Sequence, residues 1–177
     1  MKTLLHACCA PCSIACVKTL RNEGMEPTLY WYNPNIHPFT EYRSRKDTLV
    51  AYAKDNSLDC VLQDDYGLRP FLDTVMPKLE NRCAGCYELR LSSVARYAAE
   101  QGYAQFSTTL LISPYQNHDL LREVGEEMAK KYRVSFLYRD FRPYFREGQQ
   151  EARDSKLYMQ KYCGCIFSEE ERYRKKK

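Results

Sequence analysis

A chain of 177 residues, 44% hydrophobic and 28% charged, fits one domain with a sizeable core. Its formal net charge of +4 is milder than that of many nucleic-acid binders, although Arg172, Arg174, Lys175, Lys176 and Lys177 concentrate basic charge at the end. No apolar run is long enough to span a membrane and the N-terminal apolar stretch is too short for a signal segment, so a cytoplasmic protein without a membrane partner is expected.

Strand and helix patterns alternate along the chain. Residues 3–7 read as a short apolar strand that breaks at Cys8-Cys9-Ala10-Pro11-Cys12. Ser13 is the expected cap of a helix to about Asn22, with Ile14, Val17 and Leu20 on one face and Gly24 as its stop. A second strand spans 28–32, and Thr40 caps a helix to about Lys54. A third strand spans 58–63. Pro70 and Pro77 bracket a short helix, a loop follows, and a longer helix starts near Cys83 or Cys86 and runs to Glu100 before Gly102. Residues 105–110 form a fourth strand, 119–131 an amphipathic helix, 134–138 a fifth strand and 147–158 a last helix. This order implies a single-domain α/β fold, a Rossmann-like parallel sheet with helices on both faces. Residues 1–168 form that domain and 169–177 a basic C-terminal tail. Ligands in such sheets bind beyond the carboxyl ends of the strands, the rim that carries Cys8 and Cys9.

Nine cysteines in a reducing compartment point to metal or redox chemistry and away from a disulfide framework. Cys83 and Cys86 have the two-residue spacing shared by zinc and iron–sulfur sites. Adjacent side chains on an extended strand face opposite ways, so Cys8 and Cys9 reach one centre only if the chain bends there. Two thiols from each loop would make a four-thiolate site. Spacing alone leaves zinc and iron as equal readings, while the surplus thiols Cys12, Cys163 and Cys165 suit redox work. Cys163-Gly164-Cys165 can close a strained disulfide or hold a second metal. Cys16 and Cys60 read as core residues.

His37 is the side chain best placed to donate a proton near pH 7. Arg43, Arg45 and Lys46 either meet phosphates or solvate a helix face. Ser107-Thr108-Thr109 and the segment from Ser113 to His118 form a hydroxyl- and amide-rich lip. His6 reads as a satisfied core histidine, and Asp140 with Arg142 as an ion pair or, for Asp140, a metal ligand. No glycine-rich phosphate loop is present.

The segments Leu5-His6-Ala7-Cys8-Cys9-Ala10-Pro11-Cys12, Tyr32-Asn33-Pro34-Asn35-Ile36-His37-Pro38, Arg82-Cys83-Ala84-Gly85-Cys86-Tyr87-Glu88-Leu89-Arg90-Leu91, Ser107-Thr108-Thr109-Leu110 with Ser113-Pro114, and Tyr162-Cys163-Gly164-Cys165 resemble, in order, the QueH-type epoxyqueuosine reductases. The resemblance implies an adenine nucleotide alpha-hydrolase-like fold and a cobalamin-independent reductase that converts epoxyqueuosine to queuosine at the wobble position of tRNA. It implies a [4Fe–4S] cluster on Cys8, Cys9, Cys83 and Cys86, with Cys163 and Cys165 as the redox-active pair. Epoxide reduction to the alkene consumes two electrons and two protons and releases water. A single cluster passes electrons singly, so either the Cys163–Cys165 dithiol or an additional iron near Cys12 or Asp140 is expected to share the work. The partners implied are tRNA carrying epoxyqueuosine and an external electron donor. Tyr87, Tyr115 and Tyr144 are candidates to stack on the base. The competing class is a zinc-binding RNA-binding module without redox catalysis.

Overall fold

A computed structural model of the chain describes residues 2–174; Lys175, Lys176 and Lys177 of the basic end lie outside the described residues. Five strands run β1 (Lys2–His6), β2 (Glu26–Trp31), β3 (Cys60–Leu62), β4 (Gln105–Thr108) and β5 (Ser135–Phe136). All pair in parallel, in the order β3-β2-β1-β4-β5. The expected Rossmann-like sheet is therefore present. Its central strand is apolar because helices cover it on both sides: Thr3, Leu4, Leu5 and His6 are all fully buried.

Among the described residues the α-helices are α1 (Ala10–Asn22), α2 (Phe39–Asp55), α3 (Leu68–Val75), α4 (Arg82–Glu100), α5 (His118–Tyr132), α6 (Phe145–Asp154) and α7 (Ile166–Tyr173). Packing of α1 against α2 and α6, and of α4 against α3 and α5, builds the two layers. A β-carbon on Gly148 would lie 3.1 Å from the Ala15 methyl, so a larger residue there would have to push α6 and α1 apart by a few tenths of an ångström. Among the described residues, no helix is long and apolar enough to cross a membrane.

Several boundaries differ from the sequence expectation for local reasons. The cap of α1 is Cys9, whose sulfur accepts from the Cys12 amide at 3.3 Å; Ser13 sits inside the helix and donates to the Cys9 carbonyl at 2.7 Å. Pro38, not Thr40, precedes α2. The short helix ends at Val75, before Pro77, and the loop expected after Pro77 begins instead as a 3-10 turn over Met76–Asn81. β5 is only two residues long; beyond it the Leu137 amide still donates to the Phe106 carbonyl at 2.8 Å, while its carbonyl accepts from the Ser107 hydroxyl at 2.9 Å. Residues Ile166–Tyr173, split between domain end and tail in the sequence reading, form a helix capped by Cys165.

In this strand order the connections reverse between β1 and β4. The loops following these two strands therefore open a crevice at the carboxyl edge of the sheet. Cys8 and Cys9 leave β1 there, and Thr109 leaves β4.

Candidate functional site

The chain bends sharply after Ala7, and the bend turns three thiols inward. One ligand atom each from Cys8, Cys9 and Cys12 lies within 4.8 Å of the others, which makes them a metal-competent group. Cys9 and Cys12 are buried and Cys8 is partly open to the crevice. The Thr109 hydroxyl binds both ends of Cys8: it accepts from the amide at 3.1 Å and approaches Sγ at 3.3 Å. Hydrogen bonds from the Cys12 and Cys9 thiols, with the Arg90 charge, hold Cys8 well below the ordinary thiol range. Burial pushes Cys9 up, and the bond to Cys8 pushes Cys12 up. Gln160 faces it, with Nε2 3.0 Å from Cys9 Sγ and 3.5 Å from Cys12 Sγ.

Cys83 and Cys86 lie in the first turns of α4, Cys83 exposed and Cys86 half-buried. They form no such group with Cys8 and Cys9 at single-ion distances. A cluster with four iron corners spans more space than one ion, so its ligands stand further apart. Arg90, one turn beyond Cys86, connects the two regions. Its guanidinium is 3.9 Å from Cys86 Sγ, donates to Asn33 Oδ1 at 2.8 Å and acts electrostatically on Cys8. It is only 2% exposed, it has no carboxylate partner among the described residues, and its Nε is buried without a hydrogen bond. A buried cation of this kind calls for an anion between the cysteine pairs, and a thiolate-ligated metal centre supplies one. The donor set thus fits a thiolate-ligated metal centre.

The Cys163-Gly164-Cys165 loop closes over this edge. Arg45, 2% exposed and paired with Glu41 at 2.7 Å, donates to the carbonyls of Tyr162 and Cys163, both at 2.9 Å. It is a buried clamp, not a phosphate contact. The amide of His37 donates to the Gly164 carbonyl at 2.9 Å, and its Nδ1 accepts from the Ile166 amide at 3.2 Å. With Nε2 bonded to the Pro34 carbonyl at 2.8 Å, both ring nitrogens are engaged. His37 therefore positions the loop, where sequence reasoning expected a proton donor. Gly164 adopts φ +147°, and a β-carbon there would meet Asn35 Nδ2 at 3.1 Å. Cys163 is exposed and 3.4 Å from Gln116 Nε2; Cys165 is buried. Cys165 shares a buried cluster with Phe71 and Val75 of α3, against which Cys86 packs, and this places the loop beside α4.

Other sequence candidates take structural roles. His6 is fully buried and bonded to Thr108, Tyr32 and Asn33; burial and Arg90 lower its pKa to about 3. Asp140 receives Arg142 on both oxygens, at 2.8 and 2.7 Å. Cys16 lies in the core and Cys60 is half-buried against it. Tyr87 is buried, its hydroxyl spent on Gln116. Sequence reasoning assigned no role to Arg90 or Gln160. Arg90 was discoverable as the residue four positions after Cys86 on the same helical face; Gln160, in a loop, carried no signal.

A cleft of about 560 Å³, in the range of small-molecule sites, opens onto Cys8, Cys12, Cys163, Gln116 and Gln160. Fold and site together define a doubly wound α/β protein with a thiol-rich, metal-competent centre at its topological switch point. Residues 3–171 match the family model described as Epoxyqueuosine reductase QueH. A relative of that name from Dehalococcoides mccartyi is 37% identical over 174 residues, covering 98% of this chain and 96% of the relative. Relatives of the same name from Haemophilus influenzae and Thermotoga maritima are 33% and 32% identical, covering 94% and 97% of this chain and 71% and 92% of their own. The chain belongs to the epoxyqueuosine reductase QueH family. A solved structure, described as a predicted subunit of tRNA methyltransferase from Methanocaldococcus jannaschii, matches with TM-score 0.54 at 12% identity over 84% of this chain and 76% of that one. It shares the doubly wound parallel α/β fold.

Proposed function

We propose that this chain reduces the epoxide of epoxyqueuosine in tRNA to the alkene of queuosine, with water as the second product, in the cytoplasm and with electrons from an external donor. Membership of the family supports the reaction. The observation that carries the iron–sulfur reading is Arg90, a buried cation without a carboxylate, set between Cys86 and the Cys8 region. Cys8, Cys9, Cys83 and Cys86 would hold a [4Fe–4S] cluster, which when bound supplies electrons one at a time. Cys163 and Cys165 would supply the electron pair: oxidation of two thiols to one disulfide releases two electrons and two protons, the number the epoxide consumes, and the external donor then reduces the disulfide for the next turnover. For the additional iron, Cys12 is the better-placed ligand of the two candidates, because it shares a metal-competent group with Cys8 and Cys9, whereas both oxygens of Asp140 are engaged by Arg142.

The chain's own residues do the rest. Thr109 and Gln160 orient the sulfurs, Arg45 and His37 fix the Cys163–Cys165 loop over the cleft, and Gln116 addresses Cys163. The test is anaerobic reconstitution followed by assay of epoxyqueuosine conversion in tRNA. Brown, iron-loaded protein that converts it is expected. Cys163→Ser or Cys165→Ser should keep the absorbance and stop turnover. Protein that takes up only zinc and converts nothing overturns the reading.

A further inference from the structure

Beside the thiol cleft lies a second concavity, of about 670 Å³. The two share a lip formed by Tyr115, Phe145, Gln149, Gln160, Lys161 and Arg172. The second is one-sided in charge: Arg146, Arg153, Lys161 and Arg172 line it, and no carboxylate does. All four cations are exposed, and none enters an ion pair among the described residues.

The helix α6 sorts its side chains to produce this. Arg146, Gln149, Gln150 and Arg153 recur at i, i+3, i+4 and i+7 and line the concavity. Glu147 and Glu151 turn to the other side, where Lys18 of α1 pairs with both. Glu147 and Glu151 are thereby kept off the basic face, and Asp154, the third acid of α6, accepts from the Gln150 amide at 2.9 Å.

On the shared lip stands Tyr115, 85% exposed. Its ring meets Phe145 edge-on, with centroids 6.1 Å apart and planes at 84°. Tyr144, 37% exposed, lines neither concavity. A row of unpaired cations, amides between them and an open aromatic ring together match a single-stranded polynucleotide, whose phosphates and base faces need those partners.

We propose that this concavity seats the RNA strand flanking the modified nucleotide, with its phosphates on Arg146, Arg153, Lys161 and Arg172 and a neighbouring base on Tyr115. This inference rests on the reading of tRNA as the substrate. A nucleotide reaching Cys8 and Cys163 must leave its stack, and the adjoining backbone then crosses the lip that the two concavities share.

The test is equilibrium binding of an unmodified anticodon stem–loop RNA to the anaerobically prepared, metal-loaded protein across a salt series. The double variant Arg146→Gln with Arg153→Gln should weaken binding and flatten the salt slope by roughly one for each phosphate no longer neutralised. Tyr115→Ala should weaken binding about tenfold with the slope unchanged, and Tyr115→Phe should restore it. Lys54→Gln and Lys131→Gln, near the ends of α2 and α5 at the opposite rim, should change neither. Visible absorbance equal to wild type reports an intact centre in every variant.

Unchanged affinity and slope in the double variant overturn the proposal. So does normal RNA binding with slowed reduction by an acidic electron-carrier protein, which would assign the groove to that carrier. Wild-type protein that binds RNA through these residues yet leaves epoxyqueuosine untouched supports the groove and refutes the reaction. Turnover with groove variants that bind RNA normally does the reverse.

Discussion

Arg45 reaches Cys163 across 118 residues of sequence: its guanidinium Nη1 donates to the Cys163 carbonyl at 2.9 Å while Nη2 takes the Tyr162 carbonyl at the same distance. Neither bond touches a sulfur, yet together they set the direction in which the loop offers its thiols. The fork is held from behind by Glu41, which also receives the Tyr158 hydroxyl. One buried ion pair therefore locks α2, the segment before the loop and the loop itself.

A lysine keeps the charge at this position but cannot make two parallel bonds. Arg45→Lys should destabilise the fold by roughly 3 kcal/mol, from two missing charge-assisted bonds, and lower the melting temperature by about 10 °C. Cys163 should react faster with a thiol reagent. Wild-type melting and labelling rates in the variant would remove Arg45 from this role.

Gly164 tests the same loop from its backbone. At φ +147° a β-carbon strains the chain and crowds Asn35. Gly164→Ala should cost about 1–3 kcal/mol and depress turnover while leaving iron content unchanged. Denaturant titration and metal analysis on one preparation separate the two effects. Loss of iron in step with turnover would mean that the loop supports the centre and not only the thiol pair.

His37 makes the loop sensitive to acid. Burial lowers its pKa below the ordinary value of 6.5, against only a weaker raising effect from the Pro34 carbonyl. The rings nearest it are Tyr66 and Phe71, with no charge to stabilise a proton. The unfolded imidazole therefore binds a proton that the folded one resists. Its contribution to stability is complete above pH 6.5 and is lost as pH falls below it. Protonation would also set an N–H at Nδ1 against the Ile166 amide. The denaturation midpoint should drop between pH 7.5 and 5.5, and His37→Asn should lessen that drop. His6, also held neutral by burial, adds to the drop in both proteins. An unaltered pH profile in the variant would count against this account.

Alternating strand and helix patterns were legible because each element is long enough to show its period, and the parallel order followed from that alternation. What failed was decided by contacts between distant residues. Ser13 looked like a cap, yet Cys9 takes that place because its sulfur faces the helix start. The helix Ile166–Tyr173 buries none of its residues, so it has no apolar stripe to read. It is held at one end by the Cys165 cap and through Glu171 by Arg82. The cysteine groups announced themselves by spacing. Arg45 did not, because beside Arg43 and Lys46 it resembles a solvated face until the loop 118 residues away closes over it.

Arg90 offers the sharpest test of the metal centre through stability alone. With thiolate-bound metal present, its charge has a partner; without metal it remains buried against Asn33, with Cys86 Sγ 3.9 Å away and Nε unbonded. Anaerobic chelation of the wild-type protein should therefore lower its melting temperature, since metal that binds only the folded state stabilises it. Arg90→Met, close in length and uncharged, should be destabilising in the loaded protein, by about 3–5 kcal/mol, because it leaves the anionic centre without its counter-charge. In the chelated protein the same substitution should be near neutral, because the unpaired cation leaves with the side chain. The quantity that decides is the difference between the two effects, measured by denaturing both variants in both states. A substitution that costs the same with and without metal would show that Arg90 has no electrostatic link to the centre, and that its burial answers to packing alone.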